Sequence, residues 1–332
     1  MNVFYPQYYH QFSCIASACP DSCCKEWEVD LDDATAAYYR SLPGDLGNTL
    51  RLVLKDTEDG TAMIIQDGRC PMWRQDGLCR IQAELGHDAL CKTCREFPRL
   101  RHDYGSFVEL GLELSCPEAA RLILSQPFAW ERTTEEGEGT ADYEEDIMHV
   151  LRTSRDVAVA YLYESTLPVN EKLAVMLLYA HHVQSWIDGG EEAHLDEMVF
   201  LYAAKQYAQN GDREGLVAFF RDLEILTDRW LTALESSETQ TDWDTRQKEL
   251  AVYFIARYWL QAVADYDLIG RVKYMIASCL LIHCLNGDFV ENAQLFSKEI
   301  ENNPDNVDAI LDGAYTDRAL TDVNLLSLLL DA

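Results

Sequence analysis

The grouping of cysteines constrains this chain more than any other feature of its sequence. Nine of the eleven cysteines fall between residues 14 and 116, in the runs CIASACPDSCC, CPMWRQDGLC and CKTC and at a last position before a proline. Closely spaced thiolates drawn from several segments are what a multidentate metal or cluster site requires. We therefore predict a cysteine-ligated metal domain with the candidate ligands Cys14, Cys19, Cys23, Cys24, Cys70, Cys79, Cys91, Cys94 and Cys116.

Three alternative roles suit these thiols less well. Disulfide scaffolds are typical of small secreted domains, whereas the chain begins MNVFYPQYYHQF, without the basic and apolar regions of a secretory signal. Free cysteines are often buried as small hydrophobic residues, which suits Cys279 and Cys284 in the apolar run MIASCLLIHCL but not the nine grouped thiols. Cys91 and Cys94 form a CxxC pair typical of redox exchange, yet no thioredoxin-like βαβ pattern surrounds them.

The spacing of the thiols does not decide which metal they bind. Nine thiolates exceed one tetrahedral site, so the pattern fits two four-thiolate sites or one cluster beside a smaller structural site. Zinc prefers C-x2-4-C pairs, whereas a [4Fe–4S] cluster takes four thiolates from looser spacings. His87 and His102 flank the CxxC pair, but a histidine in a polar segment is more often solvated, so we do not count them as ligands.

The cysteine segments also carry a resemblance to a known family. The runs FSCIASACPDSCCKEWEVDLD, CPMWRQDGLCRIQAELGHDALCKTCREFPR and ELSCPEAARL, in that order, resemble the flagellin lysine N-methylase family, part of a wider group with a CxxCxxCC-type zinc- or iron-chelating domain. The similarity covers about the first third of the chain and includes Trp27, Pro71, Pro98 and the Cys116-Pro117-Glu118 turn. The first group departs from a literal CxxCxxCC, because four and three residues separate its leading cysteines.

The resemblance implies a protein-lysine N-methyltransferase that transfers methyl groups from S-adenosylmethionine to flagellin and needs a cysteine-bound [4Fe–4S] cluster. The alternative is a non-catalytic zinc- or iron-binding module on a helical protein-interaction scaffold. No glycine-rich loop of a dinucleotide-binding fold is present, so we expect an unconventional S-adenosylmethionine site at the seam between the cluster and the helical bundle that the later part of the chain is predicted to form. No catalytic residue is assigned, although Glu26, Tyr104 and Glu118 lie near candidate ligands and are candidate bases.

Residue patterns divide the chain into three parts. Residues 1–125 read as short strands, turns and short helices, with a helix capped by Asp32 or Asp33 and a hairpin in RLVLKDTEDGTAMII before Cys70. We expect the aromatic residues before the first cysteine to pack this domain onto its neighbour: Phe4, Tyr5, Tyr8, Tyr9 and Phe12. Residues 126–141 combine Pro, Gly, Thr and Glu and are predicted to form an acidic linker. Residues 142–332 show at least seven amphipathic helical patterns. We predict a mainly α protein, in which a small irregular Cys-rich α+β domain is followed by an all-α helical bundle.

Charge limits the classes of partner. The chain has 27 basic and 57 acidic residues and a formal net charge of −30. Nucleic-acid binding rests on Lys and Arg contacts to phosphate, so we do not expect it; a protein substrate that bears lysines, with flagellin as the candidate, fits the negative field better. No apolar run approaches the ~20 residues of a membrane span, so we expect a cytoplasmic protein without a membrane partner.

Overall fold

The computed structural model describes residues 1–27, 29–57, 60–137, 139–238 and 242–330. Residues 28, 58–59, 138, 239–241 and 331–332, which belong to the predicted Cys-rich domain, linker and bundle, lie outside the described residues. The strands are β1 (Asn2–Pro6), β2 (Val29–Leu31), β3 (Leu54–Thr57), β4 (Gly60–Met63), β5 (Arg99–Asp103), β6 (Phe107–Leu112) and β7 (Trp130–Thr134). The α-helices are α1 (Asp33–Ser41), α2 (Gly44–Val53), α3 (Arg80–Leu85), α4 (Lys92–Glu96), α5 (Pro117–Leu124), α6 (Glu145–Glu164), α7 (Val169–Ile187), α8 (Glu197–Tyr207), α9 (Arg213–Arg221), α10 (Asp228–Glu235), α11 (Gln247–Tyr258), α12 (Leu268–Cys284), α13 (Phe289–Phe296), α14 (Pro304–Thr316) and α15 (Asp322–Leu329).

This arrangement confirms the predicted fold class, because helices dominate and the strands form two small sheets near the N-terminus. The larger sheet has the order β5–β6–β1–β7. Strand β1 runs parallel to β6, with Val3 opposite Val108, and antiparallel to β7, with Phe4 opposite Arg132. The first residues of the chain are therefore held between segments that come more than a hundred positions later.

Strand β7 lies inside the segment predicted to be an acidic linker. Its residues Trp130–Thr134 are mostly exposed and pair along one edge with β1. The predicted division into domains remains a prediction, but this part of the linker has regular structure because its backbone completes the larger sheet.

The smaller sheet and its helix follow the predicted local pattern. Strand order is β2–β4–β3, and β3 and β4 form the predicted hairpin before Cys70. Helix α1 begins after Asp32, whose side chain accepts a hydrogen bond from the Thr35 backbone N–H at 3.0 Å. A carboxylate at this position satisfies one of the N–H groups that the first helical turn leaves unpaired.

Two hydrophobic clusters organise the described residues. The larger one centres on the bundle and includes Tyr8 and Phe12, with Phe4 and Tyr9 packed against it. The expected packing is therefore confirmed for four of the five N-terminal aromatic residues. The smaller one lies between residues 29 and 91 and contains Tyr39 and Leu50 with the thiols of Cys70 and Cys91. The Cys-rich segment thus has a separate, small core of its own.

Helix α12 is the most deeply buried helix among the described residues that form the bundle. Both Cys279 and Cys284 are buried in it, which confirms their interpretation as core residues. Its hydrophobic side chains face neighbours on all sides, a pattern expected of a central rather than a surface helix. Across the described residues, no helix combines the length and apolar character that a membrane crossing needs.

Candidate metal centre

Six cysteines that are distant in sequence lie in one neighbourhood, which we call the first thiol group: Cys23, Cys24, Cys70, Cys79, Cys91 and Cys94. Backbone contacts join the segments that carry them. The Cys70 N–H donates to the Cys24 carbonyl at 2.8 Å, and Trp73 and Cys79 form an antiparallel β-bridge. Cys91 immediately precedes α4, and Cys94 lies on its first turn. The cysteine runs that the sequence separates are therefore brought together by the fold of the smaller core.

The thiols of this group contact one another in pairs. The Cys24 thiol is hydrogen-bonded to both Cys23 and Cys70, and Cys91 is hydrogen-bonded to Cys94. The contact with Cys94 lowers the pKa of the Cys91 thiol. The pKa values of Cys23, Cys24, Cys79 and Cys94 are instead raised, by contacts with neighbouring thiols and by burial. Thiolates are the ligands of soft metals, so the lowered pKa of Cys91 favours that thiol as a ligand, and the other thiols would lose their protons on binding.

The remaining three candidate ligands, Cys14, Cys19 and Cys116, form a second thiol group. Cys116 interacts electrostatically with both Cys14 and Cys19, and Cys19 also interacts with Cys23 of the first group. Burial raises the pKa of Cys116 to about 12, although the backbone N–H groups of Ala119 and Glu118 oppose that rise. The two groups are neighbours, and the nine thiols divide into six and three.

Three of the nine cysteines stand immediately before helices. Cys79 precedes α3, Cys91 precedes α4 and Cys116 precedes α5. The N-terminal turn of a helix presents unpaired N–H groups, which favour an anionic sulfur. At Cys79 and Cys116 these N–H groups lower the pKa of the thiol, but burial raises it by more.

The nine thiols have the chemistry that a thiolate-bound metal ion or cluster needs. In this arrangement, however, no three His, Cys, Asp or Glu side chains of the described residues converge on a point where one ion would bind. The thiols meet in pairs, so binding requires rotation of side chains such as Cys24 and Cys94 about bonds that are free to turn. Assignment of individual ligands therefore remains a prediction.

The three candidate bases occupy different surroundings. Glu26 forms an ion pair with Lys298 at 2.7 Å and is about one-third exposed. Tyr104 stacks on Phe107, and burial raises its pKa. Two hydrogen bonds from Arg121 hold Glu118. Each of the three is buried or bound to a neighbouring side chain, so none is assigned a catalytic role.

A small cavity lies at the seam between the larger sheet and the bundle. Its volume is about 30 Å³, and its lining includes Tyr8, His102, Trp130 and Arg257. A cavity of that size holds one or two water molecules rather than a cofactor. The expected S-adenosylmethionine site at this seam thus stays a prediction, and entry of such a molecule there would require the seam to open.

Two residues that sequence reasoning missed border the thiol groups. Gln294 lies on α13 and Lys298 on the π-helical turn Ser297–Glu301 that continues it, and both contact Asp21 beside the first cysteines. The signal that could have found them is the spacing of Gln294 and Lys298 in the run AQLFSKEI, because residues four positions apart share one face of a helix. Two polar positions on one face of a buried helix indicate a polar neighbour.

Comparison with curated proteins places the chain among known relatives. It is 38% identical over 133 residues to the flagellar biosynthetic protein FliU of Salmonella muenchen, a match that covers 37% of this chain and 78% of FliU. The chain belongs to the FliU family. The predicted resemblance to the flagellin lysine N-methylase family is thereby confirmed.

Two further relatives extend the comparison. Proteins named lysine-N-methylase from Salmonella typhimurium (strain LT2) and Salmonella choleraesuis (strain SC-B67) are each 37% identical over 131 residues. Those matches cover 37% of this chain and 33% of each relative, so the chain matches about a third of their length. No protein-family model matches the chain. No solved structure matches it.

Proposed function

We propose that this protein is a flagellin-type protein-lysine N-methyltransferase that uses S-adenosylmethionine and carries a cysteine-ligated [4Fe–4S] cluster. The observation that carries the proposal is the relationship to FliU over 78% of the FliU length. The names of the two lysine-N-methylase relatives supply the reaction. The grouped thiols supply a donor set of the right chemistry for the cluster.

Methyl transfer to lysine requires an unprotonated amine at the site. A lone pair on the substrate Nζ attacks the sulfonium methyl carbon, the N–C bond forms as the C–S bond breaks, and S-adenosylhomocysteine leaves. A lysine amine is protonated at neutral pH, since its pKa is about 10.4, so a proton must first pass to a base or to water. The formal charge of −30 would raise the local concentration of a lysine-bearing substrate.

Four of the six thiols in the first group would hold the cluster. A bound cluster would cross-link the segments around Cys24, Cys70 and Cys91, which otherwise share only a small core. The second thiol group would then hold a smaller structural ion or complete the ligand set through Cys19, which interacts with Cys23. We further propose a cytoplasmic location, where thiols stay reduced, with flagellin as substrate and neither nucleic acid nor membrane as partner.

Metal analysis is the first test of the proposal. Protein purified anaerobically should contain about four irons and four sulfides per chain and show broad visible absorption. Transfer of a labelled methyl group to purified flagellin should follow the cluster content. Zinc alone, with no transfer, would contradict the proposal and favour the metal-binding module instead.

Cysteine variants connect the cluster to the activity. Cys24→Ser should lose both iron and methyl transfer, because Cys24 contacts two other thiols of the first group. Cys279→Ser is the matched control, since Cys279 is buried in α12 within the bundle core. Equal loss of iron in both variants would show that the effect is one of general folding.

A further inference from the structure

Lys298 is buried against the loop that carries the adjacent cysteines Cys23 and Cys24. Its side chain is 1% exposed, and its Nζ lies 2.7 Å from Glu26 Oε2 and 3.0 Å from Asp21 Oδ2. It also lies 5.1 Å from the centre of the Trp27 ring. Every one of these partners belongs to residues 21–27, which include Cys23 and Cys24.

Gln294 extends this contact to a second cysteine segment. It precedes Lys298 by four residues, and its amide donates to Asp21 Oδ2 at 3.2 Å and to the Ser115 carbonyl at 2.8 Å. Ser115 directly precedes Cys116 of the second thiol group. One face of α13 and its π-helical extension therefore contacts segments of both thiol groups.

The loop of residues 21–27 is held from its other side by the backbone of residues 68–70. The Glu26 N–H donates to the Gly68 carbonyl at 3.0 Å, and the Cys24 carbonyl accepts from the Cys70 N–H. Glu26 has a φ of +74°, a left-handed conformation that residues other than glycine rarely adopt. Such a conformation persists where the surroundings on both sides determine it, and these positions cluster at functional sites.

A purely space-filling role does not account for the chemistry of this contact. An apolar residue would fill the position of Lys298 without the desolvation of an ammonium group and two carboxylates. A short ammonium contact with two carboxylates instead fixes the position and direction of the loop. The local π-helical turn, of a kind often found at functional sites, brings Lys298 into register with its partners.

We propose that Lys298 and Gln294 are positioning residues that hold the 21–27 loop so that the Cys24 thiol stays beside that of Cys70. The inference rests on the proposed thiolate site but not on methyl transfer. It makes the C-terminal helices part of the metal centre, although they contribute no ligand to it. Removal of the contact should free the loop while the bundle remains folded.

Cysteine alkylation measures the position of the loop directly. The rate at which iodoacetamide alkylates Cys24 is measured by mass spectrometry in metal-stripped protein. In Lys298→Met we expect this rate to rise about tenfold or more, because local opening becomes easier. The rate at Cys279 should not change. The as-purified variant should also contain less metal than the wild type.

Lys172→Met is the matched control. Lys172 is a second buried lysine, and its Nζ donates to the Leu162 carbonyl at 2.8 Å within the bundle. Its loss should leave Cys24 alkylation unchanged. The proposal would be overturned if the Cys24 alkylation rate in Lys298→Met stayed below about tenfold the wild-type rate, because local opening would then not have become much easier.

Gln294→Leu provides a second test if the Lys298 variant does not fold. Because Gln294 contacts both Asp21 and Ser115, its replacement should raise alkylation at Cys24 and at Cys116 together. Unchanged rates at both cysteines would reject the positioning role. Alkylation is measured without cluster or substrate, so a failure of the proposed methyl transfer would not obscure the result.

Discussion

Arg155 donates two hydrogen bonds to the carboxylate of Glu109, at 2.7 and 2.8 Å, and both side chains are about 5% exposed. Glu109 lies on β6 and Arg155 on α6, so this bidentate pair joins the larger sheet to the bundle. Buried charges of opposite sign need each other, because either one alone would remain uncompensated in a medium of low polarity.

Replacement of one member of that pair should be costly. We expect Glu109→Gln to lower the free energy of unfolding by about 3–5 kcal/mol, measured by urea denaturation. The double variant Glu109→Leu/Arg155→Met should recover most of the loss, because it buries no unpaired charge. The exposed pair Arg229–Glu291 is the control: Glu291→Gln should cost no more than about 1 kcal/mol. Equal effects at both pairs would contradict this expectation.

His102 should make stability depend on pH. Burial, helped by the nearby Arg257, lowers the pKa of His102 to about 4 from an ordinary 6.5. The folded protein therefore keeps the imidazole neutral, and its contribution to stability is complete above pH 6.5 and lost as the pH falls towards 4. Between those limits the wild type should lose roughly 3 kcal/mol more than His102→Phe. Parallel curves for the two proteins would contradict this prediction.

The Tyr39 hydroxyl should stabilise the small core through one hydrogen bond. Its hydroxyl donates to the Ala89 carbonyl at 2.7 Å, two residues before Cys91, and the side chain is 1% exposed. Tyr39→Phe keeps the ring but leaves that carbonyl without its donor, at an expected cost of about 1 kcal/mol. Thermal melting of metal-stripped protein measures the change. Tyr38→Phe, at a neighbouring exposed position, should have no effect.

The ligands can be sorted by metal analysis of single variants. Serine at Cys70 or Cys91, both buried in the first thiol group, should release iron, because an alcohol replaces a thiolate. Serine at Cys14, which is exposed, should change the metal content less if the first group holds the cluster. The reverse order would assign the cluster to the second group.

Local structure was predictable where the determining residues are close together in sequence. Asp32 or Asp33 was expected to cap a helix, and Asp32 caps α1 by accepting from an N–H that is only three residues away. The apolar run around Cys279 likewise indicated a buried helix. Helix propensity and hydrophobic periodicity depend on residues close together in sequence, so these elements can be predicted from the sequence alone.

Long-range contacts were not predictable from the same patterns. Nothing in the sequence near Asp21 indicates Lys298 as its partner, and nothing in the acidic segment around Arg132 indicates pairing with Phe4. Such contacts depend on how whole elements pack. The cysteine runs identified the candidate ligands, but their division into six and three depends on the fold of the smaller core.

The position of β1 has a consequence for the order of events on the ribosome. Its parallel partner β6 begins about a hundred residues later, a stretch that takes roughly 5–20 s to synthesise. During that interval eight of the nine grouped cysteines have already left the peptidyl transferase centre, while the larger sheet cannot yet close. A nascent chain therefore offers its thiols to iron delivery before its first strand has a place to dock.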